Sequence, residues 1–133
     1  MPDLDAASLE QVEGVVWGEP PAGSSRLVET VHALRRRPIA ELGIEDLRVM
    51  IGQHVGLPVL VPRALQVLEA DPLAEGDFYP GDLLVAVVRV PAAYWIGDPR
   101  SRARLDRVLA GVDLGLLDDE ARSEIHKSRH GGG

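Results

Sequence analysis

The chain has 133 residues, which is enough for one domain with a hydrophobic core and too few for two independent ones. Hydrophobic residues make up 45% and charged residues 26%, as in globular proteins, and the absence of cysteine excludes disulfide scaffolds, thiol catalysis, zinc ribbons and iron–sulfur clusters. The net charge of −7 argues against a nucleic-acid surface, which needs an excess of Lys and Arg, and favours a basic partner.

Nothing in the sequence indicates a membrane span or a secretion signal. No hydrophobic run approaches the roughly 18 residues that a span requires. The first residues, MPDLD, lack the basic and apolar regions of a signal peptide. We therefore expect a soluble, cytoplasmic protein.

Residues 1–23 are predicted to form an irregular acidic arm with one short helical turn. Ser8 and Gln11 fit a capping box, and Gly14 is a suitable residue to end the turn. Trp17 comes directly before a Gly-Glu-Pro-Pro stretch that must be extended or turned, and we expect its ring to fix the arm to the body of the protein.

Helical patterns follow through the central region, residues 24–112, and into residues 113–133, which are predicted to form a last helix and a flexible tail. The predicted helices cover about residues 24–37, 44–54, 62–70, 83–90, 99–110 and 118–128. Arg35, Arg36 and Arg37 are interpreted as solvated residues at a helix C-terminus, where they complement the helix dipole, with an RNA contact as the alternative.

Pro62 and residues 83–90 decide which secondary structure is predicted for the middle of the chain. Pro62 is expected in the first turn of its helix, because a proline deeper in a helix removes a backbone hydrogen bond. Residues 83–90 are rich in β-branched residues and apolar on all sides. A buried helix capped by Asp82 is favoured there because a lone strand has no partner, and a strand is the alternative.

Together these elements predict a mainly α fold, a compact single-domain bundle of about five to six helices with an irregular N-terminal arm. The motifs of common enzymes are absent, including the P-loop, the dinucleotide-binding glycine motif, the Gly-x-Ser-x-Gly elbow and the His-Glu-x-x-His zinc motif. We expect no catalytic residue, no cofactor and no bound metal.

The strongest candidate for a binding site is the stretch of residues 71–82, where four carboxylates surround two aromatic residues. The candidate partner-binding residues are Asp71, Glu75, Asp77, Tyr79 and Asp82. A tyrosine among carboxylates is typical of an interface hot spot, in which the ring supplies contact area and the acids steer a basic partner. A turn whose Asp residues cap neighbouring helices and a divalent-cation site are the alternatives, although the spacing fits no EF-hand loop.

Seven segments resemble the immunity proteins of contact-dependent growth inhibition systems. They are WGEPP at 17–21, EDLR at 45–48, IGQ at 51–53, GL at 56–57, VP at 61–62, AL at 64–65 and, the most specific of them, DPLAEGDFYPGDLL at 71–84. The resemblance covers roughly residues 9–110. It implies a small, mostly helical cytoplasmic protein that binds the toxic C-terminal domain of a delivered effector, often a nuclease, and blocks its active site or an essential surface.

The leading hypothesis is therefore a non-enzymatic immunity protein whose candidate residues, together with the acidic arm, face a toxin. One alternative is a helical regulatory or scaffold module that self-associates, for example as a homodimer. A small metal-dependent hydrolase that uses the same carboxylates is the other. Neither a nucleic acid nor a membrane is expected as a partner.

Overall fold

The structure is a computed structural model that describes residues 6–113, 115, 117 and 119–131. Within these residues the chain forms eight α-helices, a short 3-10 helix at Ile39–Glu41 and no β-strand. The helices are α1 (Leu9–Glu13), α2 (Arg26–Arg36), α3 (Ile44–Gly52), α4 (Leu57–Ala70), α5 (Asp82–Val88), α6 (Ala92–Ile96), α7 (Pro99–Gly111) and α8 (Asp119–Gly131). None of these helices is both long and apolar enough to cross a membrane.

The core is built around α3, α4 and α5. α3 packs on both α4 and α5, while α7 packs on α4 and α8 packs on α5. In α4 the buried residues Val61, Leu65 and Leu68 recur every three or four positions, so one stripe of the helix faces the core. Other side chains that are at most 2% exposed include Met50, Ile51, Leu83, Leu84, Leu105 and Leu109. The segment between α4 and α5 is thus anchored at both ends by core helices.

The predicted mainly α fold is confirmed, and the chain has more helices than expected. The difference lies in α1 and α6, which have five residues each. α1 has the expected capping box at Ser8, and Gly14 ends it with a left-handed φ of 70°. α6 follows Pro91 and is not among the predicted helices. Residues 83–90 contain α5, so the predicted helix is confirmed over the strand.

α4 begins five residues earlier than predicted. Pro58 occupies its first turn and Pro62 lies inside the helix, so the expected position of Pro62 is wrong. Pro62 cannot donate a hydrogen bond to the carbonyl of Pro58, but that missing bond falls in the first turn, where Pro58 is exposed. The earlier start brings Leu60 and Val61 into the core on a helix rather than on a loop.

Arg35 fixes the N-terminal arm to α2. This residue is only 1% exposed, so its interpretation as a solvated cation is wrong. Its guanidinium donates hydrogen bonds to a carboxylate oxygen of Glu13 and, at 2.6 Å, to the carbonyl of Val15. The Trp17 ring covers it with its centroid 4.2 Å from Cζ, and the same ring meets His32 edge-on. Trp17 thus fixes the arm to the body as expected.

The other two arginines at the end of α2 are also engaged with carboxylates. Arg36 lies 3.4 Å from a carboxylate oxygen of Glu19 and donates to the carbonyl of Gly18 at 2.6 Å. Arg37 lies 3.8 Å from a carboxylate oxygen of Asp46. These carboxylates neutralise the charge that an RNA contact would require.

The Arg35 anchor predicts unequal effects for two glutamates of the arm. Glu13→Ala leaves a buried guanidinium without its carboxylate and should lower the free energy of unfolding by about 2 kcal/mol. Glu19→Ala is the matched control, because the side chain of Glu19 is 86% exposed. It should change the stability by no more than about 0.5 kcal/mol. Urea unfolding measures both variants, and equal losses would contradict the anchor.

Candidate functional site

The acidic loop, residues 71–82, connects α4 to α5 and is partly closed by its own backbone. The N–H of Gly81 donates to the carbonyl of Leu73 at 3.2 Å, and the N–H of Ala74 donates to the carbonyl of Asp71 at 3.0 Å. The Asp71 side chain accepts from the N–H of Leu73 at 3.1 Å, which fixes the first turn. Ala74 is 2% exposed, so the start of the loop packs on the core.

Asp82 holds the loop from the inside. Its side chain is 2% exposed, and its two oxygens accept hydrogen bonds from the N–H of Gly76 at 2.7 Å and from the N–H of Phe78 at 3.1 Å. The N-cap of α5 is Gly81, with a φ of 88°, so the capping role predicted for Asp82 is wrong. The carboxylate is turned back into the loop, where each bond is charge-assisted and therefore strong.

Glu45, on α3, provides a second anchor for the loop. Its carboxylate accepts two hydrogen bonds from Arg48, at 2.6 and 2.5 Å, and a third from the N–H of Asp77 at 2.9 Å. The hydrogen bonds from Arg48 hold the pKa of Glu45 below its usual range despite the opposing effect of burial. Glu45 is therefore ionised at neutral pH and stays a strong acceptor for the loop.

The loop backbone lies directly against α3 at Gly76. A Cβ atom on Gly76 would collide with a carboxylate oxygen of Glu45 and lie 3.3 Å from the Glu45 Cα atom, so a larger residue would push the loop outward. On the outer side, the Arg48 guanidinium covers the Phe78 ring, with Cζ 4.4 Å from the ring centroid. The loop is thus clamped between a buried carboxylate and a helix.

The five candidate residues lie in three different environments. Asp71, Glu75 and Asp77 are exposed, Tyr79 is half-buried against the core, and Asp82 is buried. The structure therefore gathers three carboxylates on the outside of one loop and uses the fourth to hold that loop together.

Three residues of this site are missing from the prediction. Phe78, rather than Tyr79, is the more exposed ring of the loop, at 67%. Glu45 and Arg48 have opposite charges three positions apart, which indicates an ion pair on a helix face. Their contact with the loop joins residues that are 32 positions apart in the sequence, and no local pattern reveals it.

A recess of about 210 Å³ opens beside the acidic loop and reaches the ends of α3 and α5. Its lining includes Arg48, His54, Phe78, Tyr79, Asp82 and Arg89. Two guanidiniums and an imidazole thus share the recess with one carboxylate. A different cavity, of about 170 Å³, lies between Trp17 and α2, and its lining contains no Asp, Glu, Lys or Arg.

The described carboxylates are not arranged as a metal site. Among the residues that the structure describes, no three His, Asp or Glu side chains are grouped so that they could hold a metal ion. The loop carboxylates lie apart in environment: Asp82 is buried inside the loop, whereas Glu75 and Asp77 are exposed on its outside.

Comparison with known proteins identifies the family of this helical chain. A family model of CDI immunity proteins matches residues 11–105, which is well over half of the chain and includes the whole acidic loop. No individual curated protein matches the chain.

The inner position of Asp82 predicts a stability effect that an exposed loop acid does not have. Asp82→Asn replaces one acceptor oxygen by an NH₂ group opposite a backbone N–H, and should lower the free energy of unfolding by about 3 kcal/mol. Glu75→Gln, the matched control in the same loop, should stay within about 0.5 kcal/mol of the parent. Urea unfolding gives the stability of both variants, and amide hydrogen exchange at Gly76 and Phe78 shows whether the loop hydrogen bonds remain. Full protection of these amides in the Asn variant would contradict this role of Asp82.

Proposed function

This chain belongs to the family of CDI immunity proteins, and from that premise we propose that it binds and neutralises the C-terminal toxin domain of a contact-dependent growth inhibition effector. It does so in the cytoplasm, by covering the toxin's active site or an essential surface, without catalysis of its own. We propose a nuclease as the toxin, because a nuclease carries the basic surface that a chain with a net charge of −7 attracts.

The observation that carries this proposal is a rigidly held loop that exposes carboxylates around an aromatic ring. Phe78 is 67% exposed, and Glu75 and Asp77 close to it are exposed as well. Because Asp82 and Glu45 already fix the loop backbone, little conformational entropy is lost when a partner binds. A large ring with acids around it supplies contact area and electrostatic attraction together.

The loop is a better toxin-binding surface than the N-terminal arm. Glu13 and Glu19 of the arm form ion pairs with arginines of α2, which reduces their attraction for a partner. Glu75 and Asp77 form no ion pair within the described residues and are exposed, although the charge of Asp77 also acts on Arg48. We therefore place the toxin contact in the central region, residues 24–112, with the loop at its centre.

Co-expression with the toxin domain encoded beside this chain tests the function directly. Cells that produce the toxin domain should survive when this protein is present, and the two chains should co-purify in a one-to-one complex. A toxin domain from an unrelated system is the control and should not be neutralised. Cell death without any complex, for a verified active cognate toxin, would refute the proposal. A concentration-dependent dimer without toxin would then favour the self-associating module.

A charge-reversal pair in the loop tests the proposed surface. Glu75→Lys with Asp77→Lys should slow association with the toxin domain by roughly tenfold at low salt, because the loop no longer attracts a basic surface. The difference from the parent should shrink as salt is added. Glu29→Lys with Glu41→Lys changes the net charge equally at exposed positions on and after α2, and should slow association much less. Equal slowing by both pairs would remove the loop from the interface.

A further inference from the structure

Hydrophobic side chains of the N-terminal arm and of α2 are left uncovered by the fold. Seven large hydrophobic side chains are exposed in the described part of the chain, and five of them belong to this region: Val15, Val16, Trp17, Leu27 and Val28. Single exposed hydrophobic residues are common on protein surfaces, whereas a group of them marks a place where another molecule packs. The apolar patch is defined here as Trp17, Leu27 and Val28, which line the same cavity of about 170 Å³.

The cavity of the apolar patch lies at the start of α2 and is suited to an uncharged group. Leu27, Val31 and Leu34 are spaced as one helix face, yet Val31 and Leu34 are buried while Leu27 is 43% exposed. The lining contains no Asp, Glu, Lys or Arg, so an apolar group can enter without removing water from such a charge. An apolar cavity of about 150 Å³ is large enough to hold benzene. The cavity therefore has room for one large hydrophobic side chain.

Trp17 is held in place at the edge of this cavity. The Arg35 guanidinium lies against its ring, with Cζ 4.2 Å from the ring centroid, and the His32 ring meets it edge-on at 5.1 Å. The carbonyl of Gly18, the next residue, lies 3.2 Å from Nδ1 of His32. The indole is nevertheless 43% exposed. A fixed ring loses little conformational entropy when a partner binds, and tryptophan is among the residue types most enriched in interface hot spots.

The end of α3 connects the apolar patch to the recess beside the acidic loop. Gln53 and Val55 line the cavity of the patch, whereas Gly52 and His54 line the recess. His54 has a φ of 59°, and its N–H and that of Val55 both donate to carbonyls of α3 at 2.9 Å, which closes the helix end in a tight turn. The apolar patch and the acidic loop are thus neighbours across one fixed turn.

The size and composition of stable interfaces favour one partner that covers both surfaces. A specific interface takes roughly 20 to 30 residues from each partner and combines an apolar centre with a polar rim. The acidic loop, residues 71–82, is too short to supply that number, and its three exposed carboxylates have the composition of a rim. A second copy of this chain is disfavoured as the partner, because it carries the same net charge of −7, whereas a basic toxin domain is attracted.

We propose that the apolar patch is a second contact with the toxin domain, and that its cavity receives one large hydrophobic side chain of the toxin. The inference rests on the proposed toxin-binding function and deepens it. The acidic loop attracts the toxin domain during approach, and the patch holds it after contact, because apolar burial acts only at short range. The arm therefore contributes through Trp17 rather than through Glu13 and Glu19, which form ion pairs with arginines of α2.

Leu27→Glu tests the patch against the cognate toxin domain, purified as an inactive variant. Glutamate complements the helix dipole in the first turn of α2, so the variant should fold. Its charge opposes burial against an apolar side chain, and the dissociation rate should rise roughly 10- to 100-fold. The association rate should stay within about threefold of the parent value, because an added negative charge does not repel a basic toxin. Surface plasmon resonance gives both rates, and circular dichroism checks the fold.

Ile96→Glu is the matched control for net charge and polarity. Ile96 is 83% exposed at the end of α6, and it lines neither the cavity of the patch nor the recess. The variant makes the same kind of change as Leu27→Glu away from the patch, so both rates should equal those of the parent. If Ile96→Glu speeds dissociation as much as Leu27→Glu does, the effect follows net charge and the inference is wrong.

Fluorine NMR with 5-fluorotryptophan in this chain shows directly whether the patch is covered. The chain has two tryptophans, of which Trp17 is 43% and Trp95 is 8% exposed, and Trp17→Phe assigns their signals. Saturation with unlabelled toxin domain should shift the Trp17 signal and reduce its H₂O/D₂O isotope shift, while the Trp95 signal stays. A Trp17 ring that remains accessible in the complex would overturn the inference. A Trp17 shift that appears with rising concentration of this protein alone would assign the patch to a second copy and overturn it as well.

The outcomes also distinguish this inference from the proposed function. If the parent protein does not bind the toxin domain, the proposed function fails and this inference fails with it. If the parent binds while Trp17 stays accessible and Leu27→Glu dissociates at the parent rate, only the inference about the apolar patch fails. The charge-reversal pair at Glu75 and Asp77 then still measures the contribution of the acidic loop, since that pair acts on association and Leu27→Glu acts on dissociation.

Discussion

The buried carboxylate of Asp82 is the interaction on which the exposed acidic face depends. Residues 71–82 connect two core helices, and much of their polar backbone must find partners within the loop. Asp82 accepts two of those N–H groups and lies 3.8 Å from the guanidinium of Arg48, which together compensate for its burial. The exposed carboxylates of Glu75 and Asp77 take no part in this support. The acids that face outward can therefore change without loss of the frame that presents them.

Arg48 joins the loop and the recess into one unit. It binds Glu45, which in turn accepts the N–H of Asp77, and it covers the Phe78 ring while lining the recess. Because α3 packs on both α4 and α5, the helix that carries this arginine is fixed in the core. The positions of the loop and of the recess beside it are thus set by the same side chain.

The sequence alone predicted the helices correctly where their formation depends on residues that are close together in the chain. Helical periodicity and capping signals located α1, α2, α3 and α7, and the lack of a strand partner correctly favoured a helix at residues 83–90. The errors have different physical origins, a contact between distant segments at Arg35 and a local contact between side chain and backbone at Asp82. Arg35 looked like a solvated helix end, but the arm folds back to it from 20 residues away. Asp82 is of a residue type that often caps helices, but its carboxylate instead accepts backbone N–H groups of the loop.

The net charge of a segment is a poor guide to where a basic partner is attracted, as residues 1–25 and the acidic loop show. Residues 1–25 contain five acids and no Lys or Arg, which suggests the strongest attraction for a basic surface. In the folded chain, however, Glu13 and Glu19 face arginines of α2, and their fields largely cancel at a distance. Glu75 and Asp77 of the loop form no ion pair among the described residues and are exposed, although the charge of Asp77 also acts on Arg48. The attraction that a binding partner experiences therefore depends on the charges left uncompensated after folding, and exposed acids of the acidic loop are among them.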